Sequence, residues 1–413
     1  MIYIFSPLLS ERLTFVLDFC FKSKGMVYVL LDSKTKFESV VGEKINYSSE
    51  YIENSLQIKP TTLLFESKLK ELSELTYKND NWYLNNNKDI FSILFYMLSS
   101  YEEYLILEKD NHDRFSAKNS SLFKSNRLDK PNADLIVKQL WKDLGLDYSM
   151  VESNFKSHIT FDIDSAWAIK NKRILRSIGS DIKDLLKGKS IIDKYKVRLG
   201  KQQDPFDTYS IIKDASEKHL VTCFFLLGDL GKFDKNINWK NKELKLLIND
   251  LKHCCNIGIH PSYDSYLNET KVGGELIRLN TITQSKNTKS RQHFLKLDIP
   301  KSYQLLNSIG VTDDYSMGFA DGYGFRSGTC FSYPFFDLTT NSITNLIIHP
   351  ITYMDGTLNQ YLNLSIKDSI NVIQNLKREV KNVGGTFCPL WHNETIGEVG
   401  IWKGWRKVFD SNI

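Results

Sequence analysis

Apolar side chains recur every three or four residues through DIFSILFYMLSSYEEYLIL, residues 89–107, which predicts a helix with Asp89 as its cap. Around it, the first 150 residues mix strand-like runs such as MIYIF and MVYVLLD with a further helical stretch near Leu135 to Leu144. The stretch between the two helices, EKDNHDRFSAKNSSLFKSNRLDKPNAD, is polar and reads as loop.

From about residue 155 the rhythm changes. Short apolar runs at His158–Phe161, Val221–Leu227, Asn256–Ile259, His293–Leu297, Leu346–Ile351 and Thr386–Trp391 read as strands. Amphipathic stretches at Tyr209–His219, Glu243–Cys254, Lys301–Ile309 and Ile366–Val383 read as the helices between them. Such alternation predicts a largely parallel sheet, and this many units suits a barrel, with chemistry at the C-terminal ends of the strands. The expected class is therefore α/β: a (β/α) barrel over residues 151–413, preceded by a smaller mixed α/β domain over residues 1–150.

Bulk properties narrow the function. The 413 residues are 41% hydrophobic and 25% charged, ordinary values for a globular protein, and two domains are the default at this length. The net charge of +5 gives no sign of nucleic-acid binding. The six cysteines form no CxxC pair, which suits free thiols in a reducing compartment. The N-terminal stretch lacks a basic region before a long apolar core, and no apolar run approaches a membrane span, so a cytoplasmic protein is expected. Residues 165–203 carry eleven Lys or Arg against three Asp, a net +8 that leaves −3 for the rest of the chain. A solvated face accounts for this most simply; an anionic substrate or peripheral contact with a membrane surface is the alternative.

Candidate chemistry gathers at the predicted strand ends. SHITFDIDSAW delivers Asp162 and Asp164 with strand parity, so both side chains point the same way. IGIHPSY places His260 directly after an apolar run, SRQHFLKL gives Arg291 and His293 with the same i, i+2 parity, and LWHNET gives His392 and Glu394. Asp355 follows the run LIIHPITYMD. One strand-end histidine is usually structural, but three of only eight join two aspartates here. Carboxylate plus neutral imidazole suits zinc or another borderline divalent metal, and one Asp with two His leaves positions for water and substrate. That is a hydrolytic arrangement, in which the second Asp serves as general base and an unbound His protonates a leaving amine.

In this order, TFDID, IGIHPSY, SRQHFLKL, GFRSGT and LWHNET resemble the polysaccharide deacetylase family, also called the NodB-homology or carbohydrate esterase 4 group. Within it, the chain is most similar to a bacterial subgroup in which an N-terminal domain of unknown function, here with SSYEEYL and DNHDRF, precedes the deacetylase-like part. The resemblance covers essentially the whole chain. It implies a distorted (β/α) barrel, one divalent metal, usually zinc, and removal of acetyl groups from N-acetylated sugars. It also implies that Asp162 is the base, that Asp164 and His260 bind the metal, and that His392 is the general acid.

The sequence departs from the family pattern. Ile163 separates aspartates that are usually adjacent, and Asp264 stands where the second metal histidine is expected, four residues after His260. Either Asp264 is the third ligand or His293 supplies the imidazole; His293 is preferred. Arg291 is the expected partner of the base, with Arg326 of GFRSGT as its rival or as a contact to substrate. Asp355 is a candidate for the substrate side of the site, or for orienting His392. The implied substrate is a carbohydrate precursor, nucleotide- or lipid-linked. An amidase on a small non-sugar amide, an inactive glycan-binding barrel, and a metal-free glycosidase using the Asp162 and Asp164 pair remain as alternatives.

Overall fold

A computed structural model describes residues 1–71, 74–172, 179, 181–182, 185–186 and 191–413. Within the basic segment 165–203, read as a solvated face with an anion or membrane contact as the alternative, residues 173–178, 180, 183–184 and 187–190 lie outside the described residues. No helix among the described residues is long and apolar enough to cross a membrane, and all six cysteines are free thiols.

The N-terminal part is built on a four-stranded parallel sheet. Its strands are β1 (Ile2–Phe5), β2 (Tyr28–Leu31), β3 (Glu43–Asn46) and β4 (Leu56–Gln57), in the order β2-β1-β3-β4. An antiparallel hairpin follows, β5 (Leu75–Lys78) and β6 (Asn81–Leu84). The apolar stretch after it forms the helix Ile90–Leu98, and Asp89 caps it as expected by accepting from the Ser92 N–H. The predicted single helix is broken at Ser100, whose φ of 51° interrupts the spiral before the short helix Tyr101–Leu105.

The C-terminal part carries one large sheet. Its strands are β7 (Lys156–Ile163), β8 (Leu220–Leu226), β9 (Asn256–His260), β10 (Lys289–Ser290), β11 (Asp313–Asp314), β12 (Tyr333–Asp337), β13 (Ser342–Ile348), β14 (Tyr353–Met354), β15 (Thr386–Phe387) and β16 (Pro389–His392). The order is β12-β13-β11-β10-β9-β8-β7-β16-β14, with β15 also on β7. Every pair is parallel except β12 with β13, as the strand–helix alternation predicts. Closure into a barrel is not found: among the described residues, the end strands β12 and β14 share no ladder. The helix Ile366–Val383 has the predicted bounds, with Ser365 accepting from Asp368 N–H at its start and Gly384, at φ 71°, at its end.

The run His293–Leu297 is not a strand. It is a short 3-10 turn, His293–Leu295, in which Phe294 and Leu295 take φ values of 63° and 50°. Left-handed backbone ends any ladder there.

The two parts share one apolar core, in which Phe15 and Phe95 of the N-terminal part pack against Phe336 of β12 at ring separations of 5.3 and 5.1 Å. Polar links cross the same boundary. Arg326 forms a buried double hydrogen bond with Glu103 (2.8 and 2.5 Å), and buried Asp134 accepts from the Thr329 hydroxyl and the Cys330 N–H.

Candidate metal centre

Parallel pairing sets the site. Asp162 of β7 lies opposite His392, the last residue of β16, and opposite Phe224 of β8. His260, the last residue of β9, lies opposite Leu226 near the end of β8. Asp164 follows β7 directly, so β9, β7 and β16, with β8 between the first two, deliver their polar residues at the same, C-terminal edge.

Asp164, His260 and His293 converge with one ligand atom each, all within 4.8 Å of one another. His260 Nε2 stands 3.2 Å from Asp164 Oδ1, and His293 Nε2 stands 3.4 Å from Asp164 Oδ2. The outward nitrogens are already engaged. His260 Nδ1 bonds the Arg291 carbonyl at 2.6 Å, and a carbonyl only accepts, so the proton sits on Nδ1 and the Nε2 lone pair faces inward. His293 Nδ1 bonds Asp234 at 2.9 Å in the same sense. His260 Nε2 and Asp164 Oδ1 are buried without a hydrogen-bond partner among the described residues. One carboxylate, two oriented imidazoles and two unsatisfied buried ligand atoms fit a borderline divalent cation.

The charges around the cluster are strongly coupled. Burial opposes charge on His293, but Asp164 and Asp234 outweigh it and raise the imidazole to about 9. Burial likewise works against the Asp164 carboxylate, yet His293 and His260 hold it well below its ordinary value.

Asp162 also approaches His260, with Oδ2 3.6 Å from its Nε2. Arg291 Nη1 donates to Asp162 Oδ1 at 3.0 Å, Nη2 donates to the Thr160 hydroxyl at 2.7 Å, and Nε donates to the Tyr315 carbonyl at 3.0 Å. The Phe224 ring lies 4.6 Å from the guanidinium. Each nitrogen of that fork donates to one acceptor, which holds the guanidinium against the Asp162 carboxylate.

His392 borders the cluster, its Nε2 3.9 Å from Asp164 Oδ2. Its Nδ1 bonds Asp355 Oδ1 at 2.7 Å, and its backbone N–H donates to Asp355 Oδ2 at 2.7 Å. Gly356 N–H and the Thr395 hydroxyl also donate to Asp355. Burial disfavours the imidazolium, but Asp355 and Asp164 raise His392 well above its ordinary value. Glu394, two residues on, is half-buried, and burial raises its carboxyl despite His392 nearby.

Two residues considered from the sequence lie elsewhere. Arg326 is buried against Glu103 at the boundary between the two parts. Asp264, the rival third ligand, is exposed and pairs with Lys271 at 2.6 Å. Asp234 was not singled out from the sequence: it sits in the polar stretch GKFDKN, which carries no motif. It is buried, and it also accepts from the Tyr263 and Asp264 N–H groups at 2.8 and 3.1 Å.

Residues 2–148 match a family of unknown function, DUF7033. In structure, the chain is similar to a protein from Mycobacterium smegmatis assigned as a polysaccharide deacetylase. That similarity has a TM-score of 0.40 at 12% identity and covers 62% of this chain and 83% of the other. It is also similar to Puue allantoinase, with a TM-score of 0.38 at 10% identity, covering 63% of this chain and 84% of the other. No curated protein matches the sequence.

Proposed function

We propose that the chain is a metal-dependent hydrolase of amide bonds that removes the acetyl group from an N-acetylated sugar, with residues 1–150 and 151–413 as its two domains. The observation that carries the reading is the meeting, at one sheet edge, of the Asp164–His260–His293 cluster with the Arg291–Asp162 and Asp355–His392 pairs.

Asp164, His260 and His293 would hold the cation, and zinc suits this donor set. When bound, such a cation supplies Lewis acidity to water and to an acyl oxygen. Asp162 takes the proton of the attacking water, with its carboxylate fixed by Arg291. His392 serves as the acid in this reading: its Nδ1 bonds Asp355, and its Nε2 faces the site. It gives the Nε2 proton to the nitrogen as the C–N bond breaks, so acetate and a free amine leave. Arg326, paired with Glu103, has a structural role in this reading.

A cytoplasmic, nucleotide- or lipid-linked sugar precursor is the substrate we favour. The test is release of acetate from the N-acetylglucosamine tetramer by zinc-loaded protein. Turnover that falls at least about a hundredfold in Asp162→Asn, with metal content unchanged, is expected. Metal binding without release of acetate would leave a binding protein, and release by Asp162→Asn at the wild-type rate would remove Asp162 as base.

A further inference from the structure

Beside His293, four aromatic rings close on one another at the rim of the sheet, and one of them belongs to the N-terminal part. Phe233 and Tyr263 stand 4.4 Å apart, Tyr263 and Phe294 5.2 Å, and Phe233 and Phe294 5.4 Å. His112 touches all three, at 5.5, 5.8 and 5.2 Å from Phe233, Tyr263 and Phe294. The Phe294 ring in turn lies 4.7 Å from the ring of His293.

These rings are not core. All four are half-exposed, and none belongs to the buried apolar clusters of the protein. Nor are they needed to attach the N-terminal segment, because charged links do that. Lys109 pairs with Asp298 at 2.8 Å, Asp113 with Lys296 at 3.2 Å, and Arg114 Nη1 donates to the Phe294 carbonyl at 2.8 Å. Ser116 and the Ala117 N–H bond Asp321. Residues 109–117 thus form a strap fixed to the very turn that carries His293. That turn places Phe294 at φ 63°, a conformation uncommon for any residue with a side chain, and so turns its ring to the rim. His112 is aimed as well, since its Nδ1 bonds the Tyr263 hydroxyl at 3.1 Å.

We propose that this four-ring rim is the wall that receives the apolar face of the sugar ring bearing the acetamido group. His112 then brings the N-terminal region directly into substrate recognition. The proposal rests on the amide-hydrolase reading above. A pyranose offers a C–H face that packs on aromatic surface, while its hydroxyl edge meets the polar atoms of His112 and Tyr263. The strap is tied to the turn that carries His293, so the wall stands beside the metal cluster.

The test measures binding apart from turnover. Zinc-loaded Asp162→Asn protein is titrated with the N-acetylglucosamine tetramer by calorimetry, alone and combined with His112→Ala or Phe233→Ala. Each added change is expected to weaken binding about five- to twentyfold with zinc content and Tm unchanged. Equal affinity in all three proteins overturns the proposal, as does absence of tetramer binding to the Asp162→Asn protein. If His112→Ala does not fold, His112→Gln and Phe233→Leu take its place with the same expectation. Binding that weakens as expected, with no acetate released by the wild type, sinks the enzymatic reading and keeps the wall.

Discussion

Arg291 and Asp162 are joined by a 3.0 Å bond from Nη1 to Oδ1, and both side chains are withdrawn from solvent. The two residues come from distant points of the chain, yet Asp162 is the one carboxylate within ion-pair distance of the guanidinium among the described residues. A buried charge in this position is balanced chiefly by its partner.

Removing one side of that pair leaves the other uncompensated. Arg291→Met should destabilise the fold by about 3–5 kcal/mol, whereas Arg291→Lys should keep most of the stability and lose the three-way fork. Urea denaturation of both variants measures this. Equal stability of Arg291→Met and wild type would show that the pair contributes nothing.

Metal binding should depend on His260 and His293 and not on Asp264. Elemental analysis after zinc reconstitution should find close to one equivalent in the wild type and in Asp264→Ala, and little in His260→Ala or His293→Ala. Loss of metal in Asp264→Ala alone would move the third ligand to that exposed carboxylate.

Among the described residues, Asp234 touches the candidate cation cluster only through His293 Nδ1. Asp234→Asn keeps an acceptor for the Tyr263 N–H but loses the charge that fixes the imidazole. Zinc affinity should drop about 10- to 100-fold with the fold retained. Competition with a chelator reads this directly, and an unchanged affinity would make Asp234 a loop anchor only.

His158 gives the fold an acid limit of its own. Burial lowers its imidazole from the ordinary 6.5 to about 3, with His349 and Arg291 adding to the effect, so it stays neutral in the native protein. Unfolding frees it to bind a proton below about 6.5, so the unfolded state gains as pH falls from 6.5 towards 3. The slope from this one group reaches about 1.4 kcal/mol per pH unit. Denaturation at pH 7.5 and 5 should show a smaller loss in His158→Gln than in the wild type, and equal losses would contradict the assignment.

Glu103→Ala should be destabilising without touching the metal cluster, because it strands the Arg326 guanidinium inside the protein. A cost of about 3–5 kcal/mol in denaturation, with full zinc content, separates this pair from the site. Intact stability combined with lost metal would instead tie Arg326 to the cluster.

Local chemistry was legible in the sequence wherever strand parity or capping dictated it. Asp162 in β7 and Asp164 just beyond it both approach His260 Nε2, as i, i+2 parity predicts, and Asp89 and Ser365 start helices because their oxygens accept from free N–H groups. What the pattern hid was set by tertiary partners. Apolar content made His293–Leu297 look extended, but Phe294 and Leu295 adopt left-handed backbone with no glycine to announce it. Arg326 sits in a motif-like stretch, yet its partner Glu103 is 223 positions away. The final strand was read as one run; it is divided at Cys388, beside Pro389, which has no N–H for a ladder.

The register that sets Asp162 opposite His392 also has a consequence for how the protein is made. Strand β7 is translated well before β16, with β8 to β15 between them, yet the two lie side by side in the sheet. A nascent chain therefore holds Asp162, Asp164, His260 and His293 while β7 is still an open edge, ready to pair with a foreign strand. Arrival of β16 covers that edge and sets His392 opposite Asp162 in one event, so the two residues meet only when the hazard of mispairing ends.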